Sequence, residues 1–274
     1  MKRFVSACGA LAAGCLIVLF ATPFADRLIL FPSTSPIDTR GAIRHRVSFR
    51  TRDLEVWTAT SDLARQRGEA DAFILRFYGN ADRAERWVAL EAEAWDHRAV
   101  EVWGVNYPGF GGSSGPARLD LLAPAAIAAF DALKERSGSK PIILFGASIG
   151  TTAALHVAAN RVVAGVVLHN PPALRQMILG QFGWWNLWLL AGPIALKIPP
   201  ELDSIANARQ THAPAVFLLA QNDEVVAPKY QQLVVNAYAG EKRIVNLAGA
   251  HHNSPIEGAV IADVHKAYDW LLPR

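Results

Sequence analysis

Between Pro141 and Ala159 an apolar run, Ile142-Ile-Leu-Phe145, enters Gly146-Ala-Ser148-Ile-Gly150 and leaves through the alanine-rich stretch Thr151-Thr-Ala-Ala-Leu-His-Val-Ala-Ala159. A chain that passes from strand to helix in so few residues leaves no room for a side chain two places before or two places after the centre of the turn, and glycines stand at both. The pattern predicts a nucleophile elbow, with Ser148 in a strained conformation and its hydroxyl lifted above the edge of a sheet. At the start of a helix, backbone N–H groups and the positive end of the helix dipole would face any oxyanion that forms there.

A serine hydroxyl is a poor nucleophile alone and needs a base, an acid that orients the base, and oxyanion donors. Two later segments offer them. Ala215-Val-Phe-Leu-Leu-Ala220 is followed by Gln221-Asn-Asp223-Glu-Val-Val-Ala-Pro228, and Ile244-Val-Asn-Leu247 by Ala248-Gly-Ala-His251-His252-Asn253. Both candidate groups fall at strand ends, in the order Ser, Asp, His.

With these residues the chain resembles the serine hydrolases of the α/β-hydrolase superfamily, and is similar to their membrane-tethered esterase and acyl-protein thioesterase branch. The likeness covers nearly everything after the N-terminal apolar segment. It implies that Asp223 is the acid, because Asp223-Glu-Val-Val-Ala-Pro228 matches the branch's D-x-x-V-P with one extra residue. It implies a base in His251-His252-Asn253-Ser254, against the family's G-H-N-D. Alignment on the asparagine makes His252 the base and leaves His251, where the family has glycine, as the alternative. Such folds can also carry the acid after the sixth strand, but Val166-Val-Leu-His-Asn-Pro171 holds no carboxylate. Glu224 reads as a solvated neighbour of Asp223.

The second oxyanion donor is implied by Phe77-Tyr78-Gly79-Asn80-Ala81-Asp82, which resembles the family's H-G-N-A-G loop. The N–H of Asn80 would join that of Ile149. Tyr78 replaces a histidine, so the bonds that brace the loop must differ, and Asp82 is expected to cap a helix beginning around Arg83. Val105-Asn-Tyr-Pro-Gly109-Phe-Gly111-Gly-Ser-Ser-Gly115 resembles the family's glycine-rich loop after strand four, a supporting element.

The remaining pattern agrees. Runs of β-branched residues alternate with helical spacing at Leu122, Ala125, Ala126, Ala129, Phe130 and Leu133, and again at Val260, Ile261, Val264, Ala267, Tyr268 and Leu271. This predicts an α/β fold, a mostly parallel sheet with helices on both faces, edged by an antiparallel pair between Ala42 and Ser61. A chain of 274 residues, 51% of them hydrophobic, suits one catalytic domain, expected over 26–274 with a cap at about 171–212 between strands six and seven.

Residues 1–25 are a separate segment. Lys2 and Arg3 precede an uncharged run from Phe4 to Ala25, and about 20 apolar residues cross a bilayer. The expectation is an uncleaved membrane anchor. A cleaved signal, which would leave a secreted protein, and a lipoprotein using Cys15 after Leu11-Ala-Ala-Gly14 are the alternatives. The N-terminal charges favour an exported catalytic domain, although Arg27, Arg40, Arg44 and Arg46 weaken the asymmetry. Both cysteines, Cys8 and Cys15, lie inside the run, so redox compartment is not legible.

A net charge of +3 without a basic stripe gives no sign of nucleic acid, and the adjacent His251 and His252 have no metal-ligand spacing. From Gln176 to Leu196 there is no charged side chain, while Trp184, Trp185 and Trp188 stand within five residues. Glycines at 180, 183 and 192 and Pro193 are expected to break this stretch into short pieces. The tryptophans would then be either plain cap core, or an acyl-chain lining or membrane-facing patch. The sequence therefore reads as a serine hydrolase of esters or thioesters with an apolar acyl part, requiring no cofactor. A peptidase with the same triad and an inactive, membrane-bound interaction module are the alternatives.

Overall fold

Strand pairing in the computed structural model follows the order β1-β2-β4-β3-β5-β6-β7-β8. The structure describes residues 24–95, 97–186 and 188–272, together with Gly14. The strands are β1 (Ile43–Phe49), β2 (Arg52–Thr60), β3 (Ala72–Phe77), β4 (Val100–Val105), β5 (Ile142–Ala147), β6 (Gly165–His169), β7 (Ala215–Ala220) and β8 (Lys242–Leu247). β2 runs antiparallel to both β1 and β4, and every other pair is parallel. The expected antiparallel edge is therefore present.

Parallel strands covered on both faces need apolar residues on both, and β3, Ala-Phe-Ile-Leu-Arg-Phe, is buried throughout. Its two faces enter different layers. Ile74 packs with Val88 and Trp95 beside helix α3 (Ala84–Glu93) and with Val264, Ala267 and Tyr268 of α10 (Val260–Leu271). Phe73, Leu75 and Phe77 join the core around α4 (Leu119–Ser137) and α5 (Gly150–Asn160). Leu122, Ala125, Ala126, Ala129, Phe130 and Leu133 are all buried, as their spacing predicts; Ile261 of the last helix instead lies exposed.

Three expectations need correction or bounding. The cap is broken into short pieces as expected, but of the expected breakers only Gly183 lies between helical segments: α6 (Leu174–Phe182) contains Gly180, and α7 (Ala191–Lys197) contains Gly192 and Pro193. Proline is tolerated in a first turn, where its missing N–H would have had no intrahelical partner. Gly180 is required by packing, since a Cβ there would fall on the Tyr230 hydroxyl. Asp82 does not cap the following helix. It accepts the Arg83 N–H at 3.2 Å and pairs with Arg86, while the Ala84 N–H at the helix start goes to Asn106 Oδ1 at 2.8 Å.

The expected anchor, with both cysteines, lies outside the described residues apart from Gly14, Phe24 and Ala25. Among those described, no helix is long and apolar enough to cross a membrane. The boundary expected at 25/26 falls inside a short helix, α1 (Phe24–Ile29), that is docked on the body. Ala25 and Leu30 are buried, and Asp26 Oδ1 accepts the Leu119 N–H at the start of α4 at 2.8 Å.

Candidate functional site

The turn from β5 into α5 is as sharp as its glycines imply. A Cβ on Gly146 would stand 2.6 Å from Thr151 Cα, and one on Gly150 would stand 2.6 Å from the Tyr78 carbonyl oxygen. Ser148, between them, has φ of +50°, a left-handed conformation that an L-residue adopts at a cost of roughly 1–3 kcal/mol. Its N–H is held by the His169 carbonyl at the end of β6, at 2.8 Å, and its own carbonyl accepts from the N–H and hydroxyl of Thr151.

The side chains expected to meet here do meet. Ser148 Oγ lies 3.1 Å from His252 Nε2, and His252 Nδ1 lies 2.7 Å from Asp223 Oδ2. With Nδ1–H donating to the carboxylate, Nε2 is left as the acceptor for the serine hydroxyl, which is the tautomer a general base requires. Asp223 is fixed independently of the histidine. Its Oδ1 accepts from Val225 N at 2.9 Å and Val226 N at 2.7 Å, and its Oδ2 from Gln231 Nε2 at 3.0 Å. The extra residue in Asp223-Glu-Val-Val-Ala-Pro228 is absorbed in this turn, after which Pro228 opens α9 (Pro228–Ala237), carrying Gln231.

The histidine pair divides by side. His252 is nearly buried, whereas His251 points outward with 65% of its side chain exposed, Nδ1 3.1 Å from Glu224 Oε2. Glu224 is thus the solvated neighbour expected of it. The His252 carbonyl is held by Asn170 Nδ2 at 3.3 Å, and Asn170 Oδ1 accepts the Ala220 N–H at 2.8 Å. Asn170 occupies the position after β6 where a carboxylate was missing. It ties the ends of β6 and β7 to the histidine loop.

Gly79 brings the loop after β3 against the elbow, since a Cβ there would lie 3.5 Å from Ser148 Cβ. The N–H groups of Asn80 and Ile149 take no partner among the described residues. Tyr78 turns away from the serine and donates its hydroxyl to Glu91 Oε2 at 2.7 Å. Glu91 also accepts from Arg76 Nε at 2.5 Å, and the guanidinium lies 3.9 Å from the Phe145 ring centroid. Burial beside that carboxylate pushes the Tyr78 phenol well above its usual range. A charge inside the apolar β3 run was the one signal by which Arg76 could have been noticed. His169 lies within electrostatic reach: loss of hydration, then Arg76 and His252, lower its imidazole to about 3.

The glycine-rich loop after β4 acts as support. Asn106 Nδ2 donates to Glu55 and Glu85, and Gly112 N–H also donates to Glu55, bonds that together with nearby Arg44 hold this carboxyl below its usual value against the opposing effect of burial. A cavity of about 380 Å³ lined by Ala64, Gly68, Phe73, Glu101, Arg136 and Lys140 lies at the other end of the strands and shares no residue with this cluster. Among the described residues no cluster of His, Cys, Asp and Glu could hold a metal. In the cap, Trp184, Trp185 and Trp188 are 69%, 60% and 50% exposed beside the exposed Leu189, so they are not core.

The strand order and the elbow define the class: the chain has the α/β-hydrolase fold. Comparison with known proteins agrees with this. Residues 74–203 match the alpha/beta hydrolase fold family. An uncharacterized protein of Mycobacterium tuberculosis is 28% identical over 267 residues, covering 92% of this chain and 89% of its own. Human alpha/beta hydrolase domain-containing protein 17B is 40% identical over 73 residues, 26% of this chain and 25% of that protein. Among solved structures, a Pyrococcus furiosus esterase superposes with a TM-score of 0.65 at 13% identity over 89% of this chain and 97% of its own. Est1E of Butyrivibrio proteoclasticus, with ferulic acid bound, gives 0.66 at 14% over 83% and 97%.

Proposed function

We propose that this protein is a serine hydrolase that cleaves carboxylic esters or thioesters with an apolar acyl part. The observation that carries the reading is the hydrogen-bonded series from Ser148 through His252 to a buried, fully bonded Asp223. In the reaction Ser148 Oγ attacks the acyl carbon as its proton passes to His252 Nε2. Asp223 steadies the imidazolium, and the N–H groups of Asn80 and Ile149 bind the oxygen that becomes negative. The imidazolium then gives its proton to the departing alkoxide or thiolate, leaving an acyl-Ser148. Water, deprotonated by the same imidazole, attacks that acyl group and returns the serine. The named esterases among the structural relatives support the coarse reaction class.

Fluorophosphonate labelling of the purified protein, abolished in Ser148→Ala, is the expected result, with ester turnover reduced roughly 10⁴- to 10⁶-fold. Labelling that persists at an unchanged rate in the variant refutes the assignment.

The exposed cap favours a substrate presented at a bilayer. Each tryptophan kept from water is worth about 1.5–3 kcal/mol, and here three stay exposed on a stretch without charge. The apolar N-terminal run would tether the domain, on the exported side, beside such a surface. The expected outcome is that Trp184→Ser/Trp185→Ser/Trp188→Ser lowers the rate on long-chain esters in liposomes and spares short soluble ones. Equal rates for both substrates in parent and variant would confine the cap to a structural role.

A further inference from the structure

We propose that residues 24–35 form a strap that sets the oxyanion loop, with the Asn80 side chain as its clasp, an inference that rests on the hydrolase reading above. The Asn80 amide grips the backbone of this strap from both of its ends. Oδ1 accepts the Phe31 N–H at 2.9 Å, and Nδ2 donates to the Ile29 carbonyl. The same Oδ1 accepts the Ala81 N–H at 3.0 Å, closing the loop on itself. An amide side chain bonded to the C=O of one residue and the N–H of the second residue after it copies the way a neighbouring strand would pair. It thereby holds Asn80, the residue whose own N–H is the proposed oxyanion donor.

The loop needs such a hold. Ala81 has φ of +63°, a conformation that a Cβ disfavours and that persists only where its surroundings enforce it. On the other side, Gly79 sits against Ser148, so a small shift of the clasp moves the donor relative to the nucleophile.

The strap can impose position because it is itself fixed at both ends. At its start Asp26, 8% exposed, caps α4 through Leu119 N–H, and Ala25 and Leu30 are in the core. At its end Arg83, 2% exposed, donates Nη1 to the Ser33 carbonyl at 3.0 Å and Nη2 to the Ser35 carbonyl, with Glu85 at 3.4 Å behind it. Gly111 N–H reaches the same Ser33 carbonyl at 3.0 Å. Arg83 leaves the same loop that carries Asn80, so loop and strap are stitched at two points. Asn80 is thus a positioning residue through its side chain, whatever its N–H does.

Asn80→Ala in the full-length protein removes the clasp and keeps the N–H. The expected result is a kcat about 10- to 100-fold lower on a soluble p-nitrophenyl ester, KM within about twofold, and an alkylboronic acid, which forms a tetrahedral adduct with the serine, bound more weakly by the same factor as kcat. A structural role alone would lower thermal stability without this split. Should the variant not fold, the unaltered protein answers by reciprocity: saturating boronate should slow amide hydrogen exchange over residues 26–35 at least threefold. A folded variant with kcat and boronate affinity both within twofold of the parent, or exchange over 26–35 unchanged by bound boronate, overturns the proposal. Failure of the parent to react with a fluorophosphonate would instead overturn the hydrolase reading.

Discussion

The two ends of the parallel strands solve the same backbone problem differently. Before β3 and β5 the chain must reverse out of a helix, and it does so with positive φ at Gly68 and Gly138, where a Cβ would meet nothing within 4 Å. After β3, β5 and β6 the chain again takes positive φ, but with Ala81, Ser148 and Asn170. Glycine meets that need without steric cost, while an L-residue costs about 1–2 kcal/mol. The turns that carry the candidate site therefore hold strain that the glycine turns before β3 and β5 avoid. That strain is held in place by bonds of long sequence separation: Ser148 N–H to His169, Asn170 to Ala220 and His252, Asn80 to the strap. At the other end the Lys140–Glu69 and Arg136–Glu101 ion pairs also span 71 and 35 positions, but the turns they flank at Gly68 and Gly138 use glycine.

The comparison breaks most visibly through chemistry. His252→Ala should lower kcat by about three to four orders of magnitude, whereas His251→Ala, removing an exposed ring paired only with Glu224, should stay within about threefold. Steady-state kinetics on one ester with both variants is the check, and a reversed ranking would put His251 in the base's role.

Asn170→Ala comes next. It orphans the buried Ala220 N–H and puts alanine at φ of +50°, which together should cost about 2–3 kcal/mol in urea unfolding. It should also lower kcat, because the His252 loop loses its tether. Loss of stability with kcat intact would mean that Asn170 serves the sheet alone.

The smallest effect is the most direct comparison. Gly68→Ala should destabilise by about 1 kcal/mol, and Ala81→Gly should stabilise by up to about 1 kcal/mol. Changes of equal sign in thermal unfolding would show that the turns at the two ends of β3 do not differ in stored strain.

Some of this was legible in the chain. The elbow is dictated by sterics within five residues, so Gly146 and Gly150 announce it locally. Continuous apolar strand runs alternating with helical spacing gave the layers, because β3 and its neighbours are covered on both faces. That a serine, a carboxylate and a histidine follow one another at strand ends could be read from the chain, while Asp223 as the acid and His252, with His251 as its alternative, came from the family resemblance. Asp82 shows the limit: it has the residue type of a helix cap, yet the Ala84 N–H goes to Asn106, 22 positions beyond Ala84.

Local sequence determined that a nucleophile elbow exists and which segments could supply its partners, since short-range sterics and hydrophobic periodicity act within a few residues. Only the tertiary structure decided that His252, and not the adjacent His251, faces Asp223. It alone also enlisted Asn170, Gln231 and the strap at Ile29–Phe31, because a hydrogen bond spanning 8 to 82 positions depends on where whole elements dock.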